Sequence, residues 1–389
     1  MHDTPIDLLQ LRADFLVVPR GPHEVYLYAE GATSVHLQCD DVDLPALCSA
    51  LARGSTAADV RRAAVAGRPG SAASAADEVV AKLRAAGALQ REVAAPPGLS
   101  TAELERFGTH LAYFSRFETP AASRYDMLQR VRGAHVLLVG LGGLGSAALA
   151  YLVAAGVGRV TGVDADLVEP RNLGRQTFFA ERDVGRKKVE AARDAVARLT
   201  AHTAFAGVDR QVGSAADVEA LVRSGGGADL MVQAADRPIW DLTRWMAKAA
   251  ISTGVPVLHA SYLGVGPLFV PGRSACPACM LPRVESQIRD AQEIVEFYRR
   301  VEEQGVPRSV LPTSLGQFGV FMAHEAVTHL AGAGTPRTVN AVLRLYINGD
   351  PSTVLDGLPP DPRCAVCHGE GGRRRDILGT AHAAVPQAV

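Results

Sequence analysis

The sequence predicts an α/β protein in which a mostly parallel sheet has helices on both faces and follows a small α+β module. Three observations predict this fold. A buried strand pattern, a glycine-rich turn and a helical pattern follow one another at 135–155. Strand and helical patterns then alternate to about residue 259, which is typical of parallel strands joined by helices. Before them, three strand patterns precede three short helical patterns.

The small module spans residues 1–93, and its order of elements predicts a winged-helix-type fold. Its strand patterns and then its helical patterns lie at 15–19, 24–28, 34–38, 43–52, 56–66 and 75–86.

The rest of the chain divides into three parts. A linker and helical lead-in, 94–134, carries Arg116 and joins the module to the large domain, 135–371. The tail, 372–389, is rich in Gly, Arg and Ala, and we expect it to be disordered.

Composition and charge exclude several function classes. The 389 residues carry 40 Lys and Arg against 41 Asp and Glu, and both signs are interspersed. We therefore expect no nucleic-acid partner and no attraction to a membrane surface. The N-terminus has no signal pattern, and no apolar run approaches the roughly 18 residues of a membrane span. These features predict a cytoplasmic protein.

Four of the six cysteines form two Cys-x-x-Cys pairs, at Cys276 with Cys279 and at Cys364 with Cys367. In an intracellular protein, such pairs favour a zinc knuckle over disulfides. The alternative is two unrelated turns that carry reduced thiols. Four thiolates leave no open coordination position, so the predicted zinc is structural.

The glycine turn after the first buried strand predicts a phosphate site. Gly140, Gly142, Gly143 and Gly145 precede a helix whose first N–H groups and positive dipole end can meet an anion. Asp164 follows about twenty residues later, where a carboxylate accepts hydrogen bonds from ribose. Up to this point the pattern is Rossmann-like and equally typical of an NAD enzyme.

Later residues favour ATP. Arg175 and Lys188 suit the α-phosphate and the leaving pyrophosphate, and Asn172 adds a neutral donor. Asp236 follows a buried strand, where it can bind Mg²⁺. Each Arg or Lys alone can be a surface charge, but the set indicates MgATP and an acyl-adenylate. An NAD-dependent oxidoreductase explains neither Lys188 nor the cysteine pairs.

In these motifs the chain resembles the ThiF/MoeB/HesA superfamily of adenylating enzymes, relatives of ubiquitin-activating enzymes. The resemblance covers about residues 113–371. It implies an ATP site, a magnesium ligand and a zinc knuckle at matching positions, which are residues 140–146, Asp164, Asp166, Asn172, Arg175, Gln176, Lys188, Asp236 and the four paired cysteines. It also implies a homodimer in which Arg116 reaches into the neighbouring subunit's ATP site.

The N-terminal module resembles the peptide-binding winged-helix element of enzymes that tailor ribosomal peptides. That resemblance implies capture of a leader peptide as a strand added to a sheet edge. A DNA-binding winged helix would need a cluster of Lys or Arg, which this module lacks. An accessory or dimerisation domain stays an alternative.

The function we expect is ATP-dependent adenylyl transfer to a carboxylate of a ribosomally made peptide in natural-product biosynthesis. One alternative is a non-catalytic, peptide-presenting scaffold for a cyclodehydratase that forms azolines. Another is activation of a sulfur-carrier protein in cofactor biosynthesis. No cysteine lies between Cys279 and Cys364, where thioester-forming members of the family carry their nucleophile. We therefore expect no thioester step.

Overall fold

A computed structural model of the chain describes most of its residues. The described residues are 8–12, 14–29, 34–66, 73–90, 95–119, 121–235, 237–261, 264–279, 300, 311–344, 353–354, 360–362, 364 and 366–367. They form two compact units, Met1–Leu128 and Gln129–Val389. Asp236 and the predicted tail lie outside the described residues.

The N-terminal unit begins with strands and continues with helices. In chain order its elements are β1 (Leu8–Leu11), β2 (Phe15–Gly21), β3 (Glu24–Ala29), β4 (Ser34–Gln38), α1 (Leu44–Ala52), β5 (Ser55–Thr56), α2 (Ala57–Val65), α3 (Ala73–Ala85), β6 (Leu89–Gln90), α4 (Thr101–Arg106) and α5 (Gly108–Phe114). Strands β2, β3 and β4 form one antiparallel sheet, and β1 lies between β5 and β6 in another.

Alternation of apolar and polar side chains determines which face of the β2–β3–β4 sheet is buried. Val25 and Leu27 of β3 are fully buried, whereas Tyr28 is exposed on the opposite face. The side chains of Asp43 and Thr56 cap the helices that follow, α1 and α2. The three strands and three helices predicted here are confirmed, while the short strands β1, β5 and β6 were not predicted.

The C-terminal unit contains an eight-stranded sheet. A helix that crosses the boundary between the units, α6 (Arg124–Gly133), precedes it. The elements that follow are β7 (His135–Val139), α7 (Gly143–Ala154), β8 (Arg159–Val163), α8 (Pro170–Leu173), α9 (Lys188–Leu199), β9 (Ala204–Val208), α10 (Ala215–Ser224), β10 (Leu230–Gln233), α11 (Ile239–Thr253), β11 (Val257–Ser261), β12 (Gly264–Phe269), α12 (Pro312–Ala331), β13 (Leu343–Arg344) and β14 (Thr353–Val354).

The strand order is β14-β13-β12-β11-β10-β7-β8-β9. The five strands from β11 to β9 are parallel, and the other three pair antiparallel. Helices α10 and α11 pack together on one face of the sheet, where their apolar side chains share a core with the strands. Helices α7 and α12 pack against each other and, among the described residues, contribute no side chain to that core. The predicted α/β fold with a mostly parallel sheet is confirmed.

The order in which strands are added to the sheet reverses between β7 and β10. From β7 the chain adds β8 and β9 on one side, and it then returns to add β10 and β11 on the other. The carboxyl ends of strands at such a reversal frame a crevice in which open α/β sheets bind ligands. Among the described residues, no helix is long and apolar enough to cross a membrane.

Candidate nucleotide site and cysteine cluster

The glycine turn packs directly against the neighbouring strand. Gly140 has φ +97°, and a Cβ there would lie 2.5 Å from the backbone nitrogen of Ala235. A Cβ on Gly145 would lie 1.9 Å from the carbonyl oxygen of Gly140. Helix α7 begins at Gly143, and no side chain caps its first turn. The turn therefore requires glycine and leaves backbone N–H donors for an anion.

This turn opens into a cavity of about 1160 Å³ at the carboxyl ends of β7, β8 and β10. The cavity brings together most of the residues that the sequence assigns to nucleotide binding, namely Gly140, Gly142, Gly143, Asp164, Asp166, Asn172, Arg175, Gln176 and Lys188. Gly145 is not a lining residue, because it packs behind the turn.

Asp164 ties strand β8 to the glycine turn. Its Oδ2 accepts the N–H of Leu141 at 2.7 Å, and its Oδ1 accepts the N–H of Asp166 at 2.9 Å. Each carboxylate oxygen has a second lone pair, so Asp164 can hold the turn and also accept a ribose hydroxyl. The sequence pattern identified its place but not these backbone contacts.

Lys188 is a buried cation at the first turn of α9. Its side chain is 6% exposed, and Nζ lies 2.6 Å from Oδ2 of Asp166 and 3.6 Å from Oδ1 of Asp164. A buried ammonium requires such partners. Asp166 is 71% exposed and Asp164 is 9% exposed, so Lys188 has one partner at the surface and one buried partner.

The segment after β8 presents polar groups to the same cavity. Asn172 uses its Oδ1 to accept the N–H of Glu169 at 3.0 Å, and Nη1 of Arg175 donates to the carbonyl of Arg171 at 2.9 Å. Gln176 is 2% exposed, and its Oε1 has no hydrogen-bond partner among the described residues. A buried amide that lacks a partner in the wall of a cavity fits a bound polar ligand.

Three further arginines line the cavity and were not predicted: Arg171, Arg210 and Arg237. Arg210 lies just beyond the carboxyl end of β9, so recognising that strand would have identified it. With Arg175 and Lys188, these side chains make the cavity cationic, which suits a triphosphate.

Besides Gly145, two predicted residues are not placed in this cavity. Asp236 lies outside the described residues, although its neighbours Ala235 and Arg237 line the cavity. Arg116 lies in the N-terminal unit, where its Nε is 3.8 Å from Oδ2 of Asp14 and its guanidinium lies 5.6 Å from the ring centre of Tyr113.

The four paired cysteines converge at one point. Their sulfur atoms all lie within 4.8 Å of one another, with contacts of 3.8 Å between Cys276 and Cys279, 3.6 Å between Cys276 and Cys364, and 3.4 Å between Cys279 and Cys367. Tetrahedral Zn–S bonds of about 2.3 Å give sulfur separations of about 3.8 Å. The cluster therefore has the composition and spacing of a zinc site.

Comparisons with known proteins match this architecture. The ThiF family model matches residues 114–366. The molybdopterin-synthase adenylyltransferase of Escherichia coli (strain K12) is 29% identical over 228 residues, covering 56% of this chain and 82% of that protein. The SAMP-activating enzyme E1 of Haloferax volcanii is 30% identical over 252 residues, covering 62% of this chain and 83% of that protein.

The fold is similar to that of E. coli MccB, which has been solved with ATP. The TM-score is 0.73 at 16% identity, over 92% of this chain and 99% of MccB. MccB, described as a microcin C7 biosynthetic enzyme, has also been solved with N-formylated MccA. Because the likeness covers 92% of the chain, it extends into the N-terminal unit, which lies mostly outside the family match.

Proposed function

Since the chain belongs to the ThiF family and is an adenylyltransferase, we propose that it activates a carboxylate of a ribosomally made peptide as an acyl-adenylate. The observation that carries this proposal is that one chain contains both a cationic nucleotide cavity and an N-terminal unit with its own sheet. The fold likeness to MccB over nearly the whole chain supports it. The acyl-adenylate would be an intermediate in the maturation of a peptide natural product.

The proposed reaction is a substitution at the α-phosphorus of ATP. A carboxylate oxygen of the peptide forms the new P–O bond, and the bond to the β-phosphate oxygen breaks, so that pyrophosphate leaves. The N–H groups of the glycine turn, Arg175 and Lys188 stabilise the charge that develops on the phosphates. An amine, amide or sulfur nucleophile then displaces AMP. With no cysteine between Cys279 and Cys364, we assign no thioester step.

Asp236 is the residue that we assign to Mg²⁺. Carboxylates are its preferred protein ligands, and bound Mg²⁺ neutralises charge on the phosphate oxygens. The two residues that flank Asp236 both line the cavity, which supports this assignment.

The N-terminal unit supplies a candidate edge for a leader peptide. Among the described strands, β4 pairs only with β3, so its other edge has backbone groups available to a further strand. Strand addition at such an edge gives affinity through main-chain hydrogen bonds, with side-chain pockets setting specificity. We therefore propose leader capture at β4, and a partner tailoring enzyme or cyclodehydratase that works on the same peptide.

We further propose a homodimer with composite sites. In it, Arg116 of one subunit acts on the phosphates bound by the other. Zn²⁺ is the proposed occupant of the cysteine cluster, where it would join segments 85 residues apart in sequence, from Cys279 to Cys364.

Activation of a sulfur carrier is the second candidate function. The names of relatives favour it, since one is called a sulfur carrier protein ThiS adenylyltransferase and is 29% identical over 249 residues. That reading gives no role to an additional N-terminal unit, because the family match begins at residue 114.

Exchange of labelled pyrophosphate into ATP separates the two functions. The full chain is incubated with short peptides encoded beside its gene and, separately, with a sulfur carrier protein. Exchange that depends on a peptide carboxylate supports peptide activation. Exchange with the carrier alone contradicts it, and MgATP binding without either exchange favours the scaffold alternative.

A further inference from the structure

A buried polar network joins β10 and β11 to helix α11 beside the nucleotide cavity. His259 of β11 is 1% exposed, and its Nδ1–H donates to Oε1 of Gln233 at 2.7 Å. Gln233 is fully buried on β10, and its Nε2 donates to Oγ1 of Thr243 on α11 at 2.9 Å. The network thus joins two parallel strands to the helix that covers them.

The imidazole of His259 is neutral, because burial lowers its pKa to about 3. Its single proton lies on Nδ1, since the oxygen of Gln233 can only accept. The other nitrogen, Nε2, has no hydrogen-bond partner among the described residues. An aliphatic side chain at this position would leave Oε1 of buried Gln233 without the donor that His259 supplies.

The network ends where the wall of the nucleotide cavity begins. Gln233 is the last residue of β10, and the next two residues, Ala234 and Ala235, line the cavity. A Cβ on Gly140 would lie 2.5 Å from the nitrogen of Ala235, and one on Gly145 would lie 3.1 Å from Cβ of Ala234. The position of Gln233 therefore sets the surface against which the glycine turn packs.

We propose that His259 is a positioning residue for nucleotide binding, which it supports by holding Gln233 and thereby the Ala234–Ala235 backbone behind the glycine turn. His259 itself does not line the cavity. Donors aimed at phosphate oxygens act through their fixed placement, and a small shift of the turn weakens them. The inference rests on the proposed binding of MgATP in this cavity, and it does not depend on the identity of the acceptor.

Calorimetric titration of the zinc-loaded full chain with MgATP tests the inference. His259→Leu keeps most of the volume and removes the donor to Gln233, so we expect Kd to rise about tenfold, equivalent to about 1.4 kcal/mol. In His259→Asn the amide nitrogen replaces Nδ1 as donor, and we expect Kd within about threefold of wild type.

His135→Leu is the matched control. His135 is also a buried histidine of the same sheet, with Nε2 2.8 Å from Oγ1 of Thr161 and Nδ1 bonded to the carbonyl of Gly227. It is the first residue of β7, at the strand end opposite the glycine turn. We expect this variant to melt at a lower temperature and to bind MgATP as the wild type does.

The outcomes separate cleanly. A folded His259→Leu protein with wild-type Kd overturns the inference, and so does an equal loss of affinity in His135→Leu. If His259→Leu does not fold, Thr243→Val replaces it, with an expected rise of about threefold in Kd, and wild-type affinity there overturns the inference. Absence of MgATP binding by the wild type contradicts both this inference and the proposed function. Failure of peptide-dependent exchange with MgATP binding intact contradicts only the latter.

Discussion

The two units differ in what their sequences disclose about function. In the C-terminal unit, Asp164 and Arg175 belong to a cluster of polar residues beyond the carboxyl ends of parallel strands, where a ligand crevice forms. In the N-terminal unit, apolar alternation and helix caps predict the elements, but no cluster of reactive residues marks a site. The pattern of apolar residues therefore predicts the fold of both units. Functional residues can be predicted from the sequence only where a reaction requires particular side chains at particular positions.

Loss of zinc should destabilise the C-terminal unit far more than the N-terminal unit. All four cysteines lie in the C-terminal unit, and structural zinc contributes on the order of 10 kcal/mol of apparent binding free energy. We expect Cys364→Ser to unfold the C-terminal unit and to leave the N-terminal unit folded. Metal analysis and two-domain thermal unfolding measure this, with Cys39→Ser as control. A zinc content near zero in a cooperatively folded wild type would remove the zinc assignment.

Lys188→Met should abolish chemistry without disturbing the N-terminal unit. It removes a buried cation from the cavity, and loss of one such charge from a phosphate site lowers rates by about 10²–10³-fold. Pyrophosphate exchange measures the loss, and peptide binding is expected to stay at the wild-type level. The half-buried Lys187, one residue earlier, pairs with Asp209 and does not line the cavity, so it gives the control variant Lys187→Met. Equal losses in both variants would contradict a specific role for Lys188.

Arg116 is the residue that would connect the two units functionally. If it acts on the partner subunit's ATP, Arg116→Ala and Asp236→Ala are each inactive alone. Mixed in equal amounts with subunit exchange, they should recover about a quarter of wild-type activity, because half of the dimers carry one complete site. Sedimentation measures the dimer, and exchange activity measures recovery. An inactive mixture of exchanged subunits would show that sites are not shared.

Acid should destabilise the C-terminal unit through His259. Its pKa in the folded protein, about 3, lies below the ordinary value of 6.5. The unfolded chain therefore takes up a proton below pH 6.5 that the folded chain does not, and stability falls as pH decreases towards 3, by roughly tenfold in the unfolding constant per pH unit. Between pH 7.5 and 5.5, we expect the melting temperature of His259→Asn to fall less than that of the wild type. Equal slopes would contradict the neutral, buried imidazole.

Sequence patterns were sufficient to predict a feature where it requires one residue type at fixed positions. The glycine turn requires residues without Cβ, and the paired cysteines have the spacing of metal ligands, so both were predicted. Strand β9 was not predicted, because Ala204-Phe-Ala-Gly-Val208 contains a single β-branched residue. Missing β9 also concealed Arg210 at its end.

Contacts between distant residues were beyond the sequence. The hydrogen bonds from the backbone of Leu141 and Asp166 to Asp164 depend on how β8 lies beside the glycine turn. The pairing of His259 with Gln233 depends on the register of β10 with β11, in which these two residues are direct partners. Strand register is a property of the assembled sheet, so a single sequence does not reveal it.

The thermal unfolding of the wild type and of Asp236→Ala, each with and without MgATP, tests the central claim most directly. A ligand at 100 times its Kd adds about 2.7 kcal/mol to the stability of the folded state. For a unit of this size, that corresponds to a rise of about 5 °C or more in the melting temperature. We expect this rise in the wild type and its loss in Asp236→Ala. A wild type with zinc bound and no rise would contradict a working nucleotide site.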